Sequence, residues 1–600
     1  MNNTSTIQRI IFPTSIENFG MYFKCKNLTS IALESTPYIR LLPNDSLSCD
    51  TYFNSFYQSY WSSYTNIDNI FWHLNFQGTA KIRLYRDDIG KNPILIEEKT
   101  IIDANRENSV SISIPKHNSG RVYIEIYALS NITFFGGRVV TLAKRKNIKL
   151  SAVITSYKRE KFVHNNLRTL IEDNELKELT DIFVIDNGQT ISKRYNTDRV
   201  HIIPNSNTGG AGGFSRGMIA ALEKDEATHV LIMDDDISLH ADIVLRTISF
   251  FAHCSENIAI SGGMLDAEKP HILHEAGARW TWGEDVSDPS PLKLMPLKHA
   301  TYLQSRLGLN GLMRDEQPDY GAFWFFAFSA EIPRRHGLCM PFFVVGDDID
   351  FGLKATRRAK VRIVPLPGVA VQHIPFYFKI DSLAPYFFHR NLLVISAVHD
   401  NFSSYNIVKR VVIEVFKALC TFDYIQAYKI IRGIEDFIAG PKTLENFSLA
   451  DICTECDRFS STLPKRETVT PDNDTLPFGI EHTQGVLRDI LRIIFIGGHL
   501  LPKQLLNHTP GKYITHRPLQ WKNCFGHDEI FIHHKELHVT WRRKMDRRHG
   551  ISLAIRCAQT SARLFLKWNN LSALWRNQAE EMSSIAAWRK RLVIHCTTSN

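Results

Sequence analysis

The chain has 600 residues, 44% of them hydrophobic and 22% charged, which is ordinary for a globular protein. At about 150 residues per domain, this length predicts three or four domains. The ten cysteines are spread too widely for a disulfide framework. The longest apolar runs fall short of the ~20 residues of a membrane-spanning helix.

The formal charge of +9 is concentrated towards the C-terminal end. Residues 501–600 carry 17 lysines and arginines against 6 acidic residues, whereas the other 500 residues are close to neutral. Anionic lipid and nucleic acid are both suitable partners for such a segment. The first residues lack a basic region followed by an apolar one, so no secretory signal is visible and we expect a cytoplasmic protein.

Residues 1–147 are predicted to form a β-sandwich. Residues 80–85, 109–114 and 121–127 alternate apolar and polar side chains, and turn-rich stretches separate them. Short strands at this spacing are typical of two packed antiparallel sheets. Trp61 and Trp72 fit either the core of this region or a platform on which sugars stack.

The pattern changes to alternating strands and helices after residue 147. Buried strands are predicted at residues 150–156, 181–186 and 200–204, which indicates an α/β domain with a mostly parallel sheet over residues 148–400. A glycine-rich segment, residues 205–217, follows the third strand and is predicted as a loop that leads into a helix. It has neither the dinucleotide nor the P-loop pattern, so its glycines either bring backbone close to a nucleotide sugar or make the loop flexible.

Three consecutive carboxylates, Asp234, Asp235 and Asp236, follow a buried strand at residues 229–233. Side chains alternate along an extended chain, so Asp234 and Asp236 can share one site while Asp235 points away. Crowded carboxylates repel each other unless a cation lies among them, which favours a divalent metal that holds a diphosphate. The alternative is an acidic helix N-terminus.

A second acidic cluster, Asp347, Asp348 and Asp350, precedes a helix-like stretch. A carboxylate at the start of a helix is suited to a general base, although helix capping is the alternative. His373 ends a later strand and is either structural or a third metal ligand beside the two upstream aspartates.

Two further segments have competing interpretations. Residues 321–328 are almost entirely apolar and form either core or, through Trp324 and Phe325, a stacking floor for a sugar. Residues 401–600 are mainly helical in pattern, and the basic run 541–549 within them is either a solvated helix face or a contact with anionic lipid.

From about residue 148 to residue 398, these segments together resemble family 2 glycosyltransferases with a GT-A fold, and most closely bacterial galactofuranosyltransferases. The resemblance implies a multidomain α/β protein with an N-terminal β-sandwich (1–147), a central GT-A domain (148–400) and a mainly helical C-terminal region (401–600). It implies an inverting enzyme that uses Mn²⁺ or Mg²⁺ to move galactofuranose from UDP-galactofuranose to a lipid-linked or polysaccharide acceptor. A cytoplasmic enzyme held peripherally on the inner face of the membrane would meet such an acceptor in lipopolysaccharide or capsule synthesis.

The resemblance also implies a role for each matching residue. Asp348 matches the catalytic base, and Asp234, Asp236 and His373 match the metal ligands. The donor segments supply nucleotide-sugar contacts at Thr155, Arg159, Asp186, Asn207, Gly212, Arg216 and Asp235. The acceptor side comprises Trp324, Phe325, His274, Glu275 and Asp347. The segment that contains Tyr386, Arg390 and Asn391 matches a further family motif. Where the family has adjacent tryptophans, this chain has Trp324 and Phe325, so one indole N–H is lost.

Other functions stay open at this point. The same machinery could transfer rhamnose or another hexose. A non-catalytic glycan-binding protein with a decayed transferase domain is a different class, although the full set of acids argues against it. Nucleic-acid binding by the basic end is a third class, which the resemblance does not support. The resemblance leaves homo-oligomerisation, the acceptor and the linkage open.

Overall fold

A computed structural model describes residues 4–593, except 27–29, 33–36, 106–108, 225, 283–291, 375–382, 465–466, 470–484, 508–511, 516–518, 520 and 536. Along the chain, an antiparallel β region is followed by an α/β region and then by a mainly helical region.

The N-terminal region is built around one long strand. Its elements are β1 (Ser5–Arg9), β2 (Lys24–Cys25), β3 (Ser30–Ala32), β4 (Tyr38–Leu41), β5 (Ser46–Ser48), α1 (Gln58–Tyr64), β6 (Ile70–Asp87), β7 (Ile94–Ala104), β8 (Val110–Ile114), β9 (Arg121–Ala128) and β10 (Ile132–Thr141). The first half of β6 pairs with β10 and β8, and its second half pairs with β9 and β7, all antiparallel. The strands therefore form one connected network, and the sandwich packing of two sheets stays a prediction. Trp61 and Trp72 are buried at 2% and 0% exposure, so both belong to the core and cannot be a sugar platform.

Aromatic and polar contacts join this region to the α/β region. Trp61 meets Phe250 edge-on with ring centroids 4.8 Å apart, and the Tyr22 hydroxyl lies 2.7 Å from His240 Nε2. The Arg9 backbone N–H donates to Asp242 at 3.0 Å. One hydrophobic core runs from the β region into the α/β region, so the boundary near residue 147 is a change of pattern that the packing crosses.

The central region contains a seven-stranded mixed sheet. Its elements are β11 (Leu150–Ser156), α2 (Glu160–Ile171), β12 (Leu179–Asp186), β13 (Val200–Pro204), α3 (Gly209–Glu223), β14 (His229–Asp234), β15 (Ile237–Ser238), α4 (Ala241–His253), β16 (Ile258–Ser261), β17 (Gly263–Asp266), β18 (Ile272–Glu275), β19 (Ala278–Trp282), β20 (Leu292–Pro296), β21 (Thr301–Tyr302), α5 (Arg306–Gly311), β22 (Phe325–Ser329), α6 (Glu331–His336), α7 (Asp347–Leu353), β23 (Arg362–Val364), β24 (Ala370–His373) and α8 (Ala384–His399). The strand order is β13-β12-β11-β14-β22-β16-β23, and β22 runs antiparallel to both its neighbours.

The register of this sheet brings the chemical groups to one edge. Thr155 lies opposite Asp234, and Ser156 lies opposite Asp186, because β11, β12 and β14 are parallel and end together. A second sheet, β15-β24-β17-β18-β21, pairs Ile237 with His373 and so carries the histidine to the same place.

The glycine-rich segment is mostly helix, which corrects the prediction of a loop. Helix α3 begins at Gly209, so most of the glycines lie in its first turns. A Cβ atom at Gly213 would lie 2.1 Å from Thr155 Cγ2, and one at Gly217 would lie 2.1 Å from Val153 Cγ1. These glycines therefore allow α3 to lie directly against β11.

The C-terminal region is mainly helical and includes a small sheet. Its elements are α9 (Ser404–Cys420), α10 (Tyr424–Ala439), α11 (Lys442–Glu445), α12 (Leu449–Ser460), β25 (Glu467–Val469), α13 (Val486–Ile494), β26 (Lys512–Thr515), β27 (Glu529–His534), β28 (Val539–Lys544), α14 (Arg547–Met582) and α15 (Ile585–Arg591). Among the described residues, no helix is both long and apolar enough to cross a membrane.

The first part of the basic run 541–549 is strand and not a solvated helix face, which corrects that interpretation for residues 541–544. These residues belong to β28 within the sheet β25-β28-β27-β26. Trp541 is buried at 6% exposure. Arg542 pairs with Glu467 at 3.0 Å, and Arg543 pairs with Asp423 at 2.7 Å. These contacts already occupy the two arginine side chains.

Candidate active site

Asp234, Asp236 and His373 form a cluster at the end of β14. His373 Nε2 lies 3.0 Å from Asp236 Oδ1 and 3.9 Å from Asp234 Oδ2. One ligand atom from each residue lies within 4.8 Å of the others. The two carboxylates suit both Mn²⁺ and Mg²⁺, and the imidazole is a ligand that transition metals favour, so these residues fit the divalent metal predicted from the sequence.

Asp235 points away from this cluster, as the alternation of side chains predicts. Its Oδ2 accepts a hydrogen bond from Ser156 Oγ at 2.7 Å, and its Oδ1 pairs with Arg159 Nη1 at 3.0 Å. Arg159 also reaches Asp236 Oδ2 at 2.5 Å. Asp235 therefore positions Arg159 beside Asp236, and the predicted contact of Asp235 with the nucleotide stays a prediction.

A cleft of about 290 Å³ opens beside these carboxylates. Its lining includes the predicted donor residues Thr155, Arg159, Asn207, Asp234 and Asp235. Six other lining residues belong to the donor segments of the sequence but were not singled out there; these are Ser156, Tyr157, Asn187, Gly209, Gly210 and Phe214. Sequence reasoning missed the remaining three, which are Phe343, Val344 and Leu449. Asn187 could have been predicted from the sequence, since it directly follows the strand that ends in Asp186. No local sequence pattern predicts the contribution of Phe343, Val344 and Leu449, which come from distant segments.

Three predicted donor residues lie outside the lining of this cleft. Asp186 is 1% exposed, and its carboxylate accepts hydrogen bonds from the backbone N–H groups of Gly188 and Ile191 at 3.1 and 2.7 Å. Gly212 is a packing position, because a Cβ there would lie 2.2 Å from Thr208 Oγ1. Arg216 lies further along α3, where burial lowers the pKa of its guanidinium. The structure thus gives Asp186 a turn-forming role and Gly212 a packing role.

The second acidic cluster begins α7. Asp347 is 8% exposed, and Asp348 is half-buried. Burial raises the pKa of Asp348 to about 6. Burial, together with the charge of Asp348, raises the pKa of Asp347 well above its usual range. Asp234 contributes to the same shift, so the two acidic clusters lie close enough for their charges to interact.

Asp350 is separate from this chemistry. It is fully buried and pairs with Lys354 at 2.7 Å and with His399 at 2.8 Å. Burial alone would raise its pKa, but Lys354 and His399 outweigh burial and hold that pKa at about 2. Asp350 therefore anchors α7, whereas Asp348 is available for proton transfer.

Glu275 joins the acidic cluster from the end of β18. Burial and, second, the charge of Asp348 raise the pKa of Glu275 to about 8. The neighbouring His274 ring meets His299 edge-on at 5.2 Å, and its backbone carbonyl lies 2.7 Å from His299 Nδ1. Of the predicted acceptor residues, Glu275 and Asp347 thus lie beside the candidate base.

Phe325 cannot form the predicted stacking floor, which corrects that assignment. It belongs to β22, an interior strand with both faces covered, and is 0% exposed. Trp324 is 4% exposed, and its indole N–H donates to the Gly262 carbonyl at 2.9 Å. An apolar run in an interior strand is core because both faces are covered.

Comparisons with known proteins match nearly the whole chain. Residues 7–140 match the model of the galactofuranosyltransferase 2 N-terminal domain, and residues 148–386 match the model of the glycosyltransferase-like family 2. The galactofuranosyltransferase GlfT2 of Mycolicibacterium smegmatis is 23% identical over 92% of this chain and 89% of its own length. The GlfT2 of Mycobacterium tuberculosis is 24% identical over 91% of this chain and 90% of its own length.

The solved structures that resemble this chain are less similar to it in sequence than the two GlfT2 proteins are. The mannosyltransferase PcManGT from Pyrobaculum calidifontis covers 54% of this chain and 82% of its own, at 14% identity. Its TM-score of 0.28 is too low to assign a fold. The sequence matches and the clustered acids agree: the chain is a glycosyltransferase, and its residues 148–386 are similar to the glycosyltransferase-like family 2.

Proposed function

We propose that this chain is an inverting, metal-dependent galactofuranosyltransferase with a GT-A catalytic domain, and that UDP-galactofuranose is its donor. The proposal rests on two neighbouring acidic clusters whose charges interact: one lies beside the cleft and is suited to a metal, and the other begins α7 and is suited to a base. Both curated relatives are named galactofuranosyltransferases, which supports the choice of sugar.

UDP would occupy the cleft between β11 and the start of α3. Asn187 Nδ2 donates to the Gly209 carbonyl at 2.9 Å and so fixes the helix entry next to Asn207. Thr155, Arg159 and Asn207 would contact the nucleotide, with the diphosphate directed towards Asp234. Asp186 would contact the uracil ring of UDP only through those lone pairs of its carboxylate that do not accept the turn's backbone hydrogen bonds.

Asp234, Asp236 and His373 would hold Mn²⁺ or Mg²⁺. A bound cation would neutralise the charge that develops on the departing UDP. Arg159 adds a fixed positive charge at the same end of the cleft, since Asp235 and Asp236 hold its guanidinium.

Asp348 would act as the general base. Its carboxylate takes the proton of an acceptor hydroxyl as the hydroxyl oxygen bonds to the anomeric carbon. The bond from that carbon to the UDP oxygen breaks on the opposite side, so the configuration inverts. His274, Glu275 and Asp347 would lie on the acceptor side, which a lipid-linked or polysaccharide glycan would approach.

The rate should depend on pH through Asp348. A base works only when unprotonated, so kcat/KM is expected to fall about tenfold per pH unit below a pKa of about 6. Glu275→Gln is the matched control, because Glu275, with a pKa of about 8, is already protonated in that range. The acid limb should stay at the same pH in this variant. A profile that is flat down to pH 4.5 would contradict the assignment.

We assign the proposed membrane contact to α13 and not to the basic run 541–549. This helix exposes Val486, Leu487, Ile490, Ile493 and Ile494 at 79%, 69%, 47%, 67% and 58%. Such an apolar face on a short amphipathic helix is suited to the interface of an anionic membrane, where a lipid-linked acceptor would be found.

The full-length protein is therefore expected to sediment with vesicles of phosphatidylglycerol and phosphatidylcholine. Leu487→Asp combined with Ile493→Asp should reduce the bound fraction about tenfold or more, because both charges would enter the interface. Leu566→Asp is the matched control, since Leu566 is 79% exposed but lies on α14. Equal binding by all three proteins, or a preference for DNA over vesicles, would refute this placement.

A donor comparison tests the sugar assignment. UDP-galactofuranose is expected to support transfer, whereas activity with dTDP-rhamnose alone would define a rhamnosyltransferase. A protein that binds glycans but never releases UDP would be non-catalytic.

A further inference from the structure

The loop before the catalytic helix has an unfavourable backbone conformation. Residues 341–346 lead into α7, and Phe343, Val345 and Gly346 have φ angles of 75°, 68° and 91°. Left-handed backbone at a non-glycine residue costs about 1–3 kcal/mol and persists only where its surroundings enforce it. For a β-branched valine, this conformation is a genuine outlier. This loop, the catalytic loop, therefore needs external support.

Two side chains of α8 supply that support. Arg390 Nη2 donates to the Phe342 carbonyl at 2.7 Å. Asn391 Nδ2 donates to the carbonyls of Val344 and Val345 at 2.9 and 2.7 Å. Arg390 and Asn391 are both fully buried. Between them they bind three of the carbonyls that define the loop.

The charge of Arg390 is balanced from the C-terminal region through a tyrosine. Arg390 Nη1 donates to the Tyr386 hydroxyl at 3.1 Å, and that hydroxyl donates to Asp436 Oδ2 at 2.5 Å. Asp436 belongs to α10 and also pairs with Arg432, which in turn pairs with Glu455 at 3.0 Å. A buried guanidinium is costly unless hydrogen bonds and an opposite charge compensate for it.

Three aromatic rings surround the guanidinium of Arg390, and two of them also contact the catalytic loop. Its guanidinium carbon lies 5.1, 5.3 and 5.0 Å from the ring centroids of Tyr386, Phe387 and Phe447. Phe343 stacks on Phe387 at 5.7 Å and contacts Phe447 at 5.5 Å. The C-terminal region thus approaches the catalytic loop through both a ring cluster and a charge.

We propose that Asp436 is a positioning residue, which acts through Tyr386 and Arg390 to hold the catalytic loop and so to place Asp348 and the wall of the donor cleft. The inference rests on the proposed role of Asp348 as the base. It assigns the C-terminal helices an indirect part in catalysis. Without Asp436, the hydroxyl of Tyr386 would lose its charged partner, and Arg390 would lose its nearest compensating charge in this chain of contacts.

The test uses the full-length variants Asp436→Asn and Tyr386→Phe, their double mutant, and Asp457→Asn, an exposed acid on α12, as the matched control. Each single change is expected to lower kcat about 10- to 100-fold, the loss that follows a misplacement of ~1 Å. The kcat of the double mutant should be no lower than that of the less active single mutant, because both changes break the same chain of contacts. Asp457→Asn should match the wild type.

The pH profile separates positioning from a general structural defect. When the loop relaxes, Asp348 becomes more exposed, so the acid limb of kcat/KM should move from about pH 6 towards the range of an ordinary carboxyl group. An acid limb that stays in place in both variants, or strictly additive losses in the double mutant, would overturn the inference. If Asp436→Asn does not fold, Tyr386→Phe decides the question, because it keeps the ring.

UDP binding provides a readout that does not depend on turnover. Phe343 and Val344 line the cleft, so the Kd for UDP in the presence of Mn²⁺, measured by calorimetry, should rise about fivefold in both variants. If the wild type binds UDP but fails to transfer galactofuranose, the donor assignment falls and this measurement still tests the inference. An unchanged Kd in both variants would then contradict it.

Discussion

Replacing Asp348 by asparagine is expected to lower kcat by about 10²–10⁴-fold, the usual contribution of a general base. The amide has nearly the same shape and cannot accept the proton of the acceptor hydroxyl. Since Asp348 lies in the first turn of α7 and does not line the donor cleft, UDP binding should change little. Initial rates of UDP release and calorimetric titration with UDP measure the two effects separately.

Asp347→Asn is the matched variant, one residue away on the same helical turn. It is expected to retain activity within about tenfold of the wild type, with its main effect on the KM for the acceptor. If Asp347→Asn lost as much activity as expected for Asp348→Asn, while Asp348→Asn kept wild-type kcat, the base would be Asp347.

The second large effect concerns the metal. Dialysis against EDTA is expected to abolish transfer, and Mn²⁺ or Mg²⁺ should restore it, because the carboxylates of Asp234 and Asp236 would otherwise repel the diphosphate. His373→Gln should weaken Mn²⁺ binding about 100-fold or more, since even the outer partners of metal ligands change affinity about 10–100-fold. Calorimetric titration with Mn²⁺ measures this directly.

His164→Gln is the control for this variant, because His164 is exposed on α2, where its ring contacts Tyr195, and is not one of the three clustered ligands. It should bind Mn²⁺ like the wild type. Full activity after exhaustive chelation, together with unchanged Mn²⁺ binding by His373→Gln, would remove the metal from the mechanism.

Local patterns were sufficient to predict the acidic part of the site. A buried strand followed by three carboxylates places Asp234 and Asp236 together, because side chains alternate and because strands of a parallel sheet end at one edge. The structure brings His373 to the same cluster through the pairing of β15 with β24. The sequence predicts a helix-like stretch after the second acidic cluster, and α7 begins earlier, at Asp347, so it includes that cluster.

Tertiary packing decided the features that the sequence did not reveal. Phe325 is core because β22 lies inside the sheet, and sequence alone does not distinguish an interior strand from a surface floor. The glycine-rich segment is helical because α3 lies directly against β11. Phe343 and Leu449 line the cleft although more than 100 residues separate them, so no local signal could join them.

The basic C-terminal end illustrates the limits of charge counting. Arg542 and Arg543 lie in a small sheet and are paired with acids, whereas the exposed apolar face belongs to α13, whose net charge is only +1. Net charge predicts the sign of a surface but not which side chains remain available on it.

The most direct test of galactofuranosyl transfer is NMR analysis of the product that the purified wild-type enzyme forms. The reaction would contain Mn²⁺, a galactofuranose-terminated acceptor, and either UDP-galactofuranose or dTDP-rhamnose. The account predicts a new galactofuranose residue whose anomeric configuration is inverted relative to the donor, and no product from dTDP-rhamnose. A product with retained configuration, or transfer from dTDP-rhamnose alone, would contradict it.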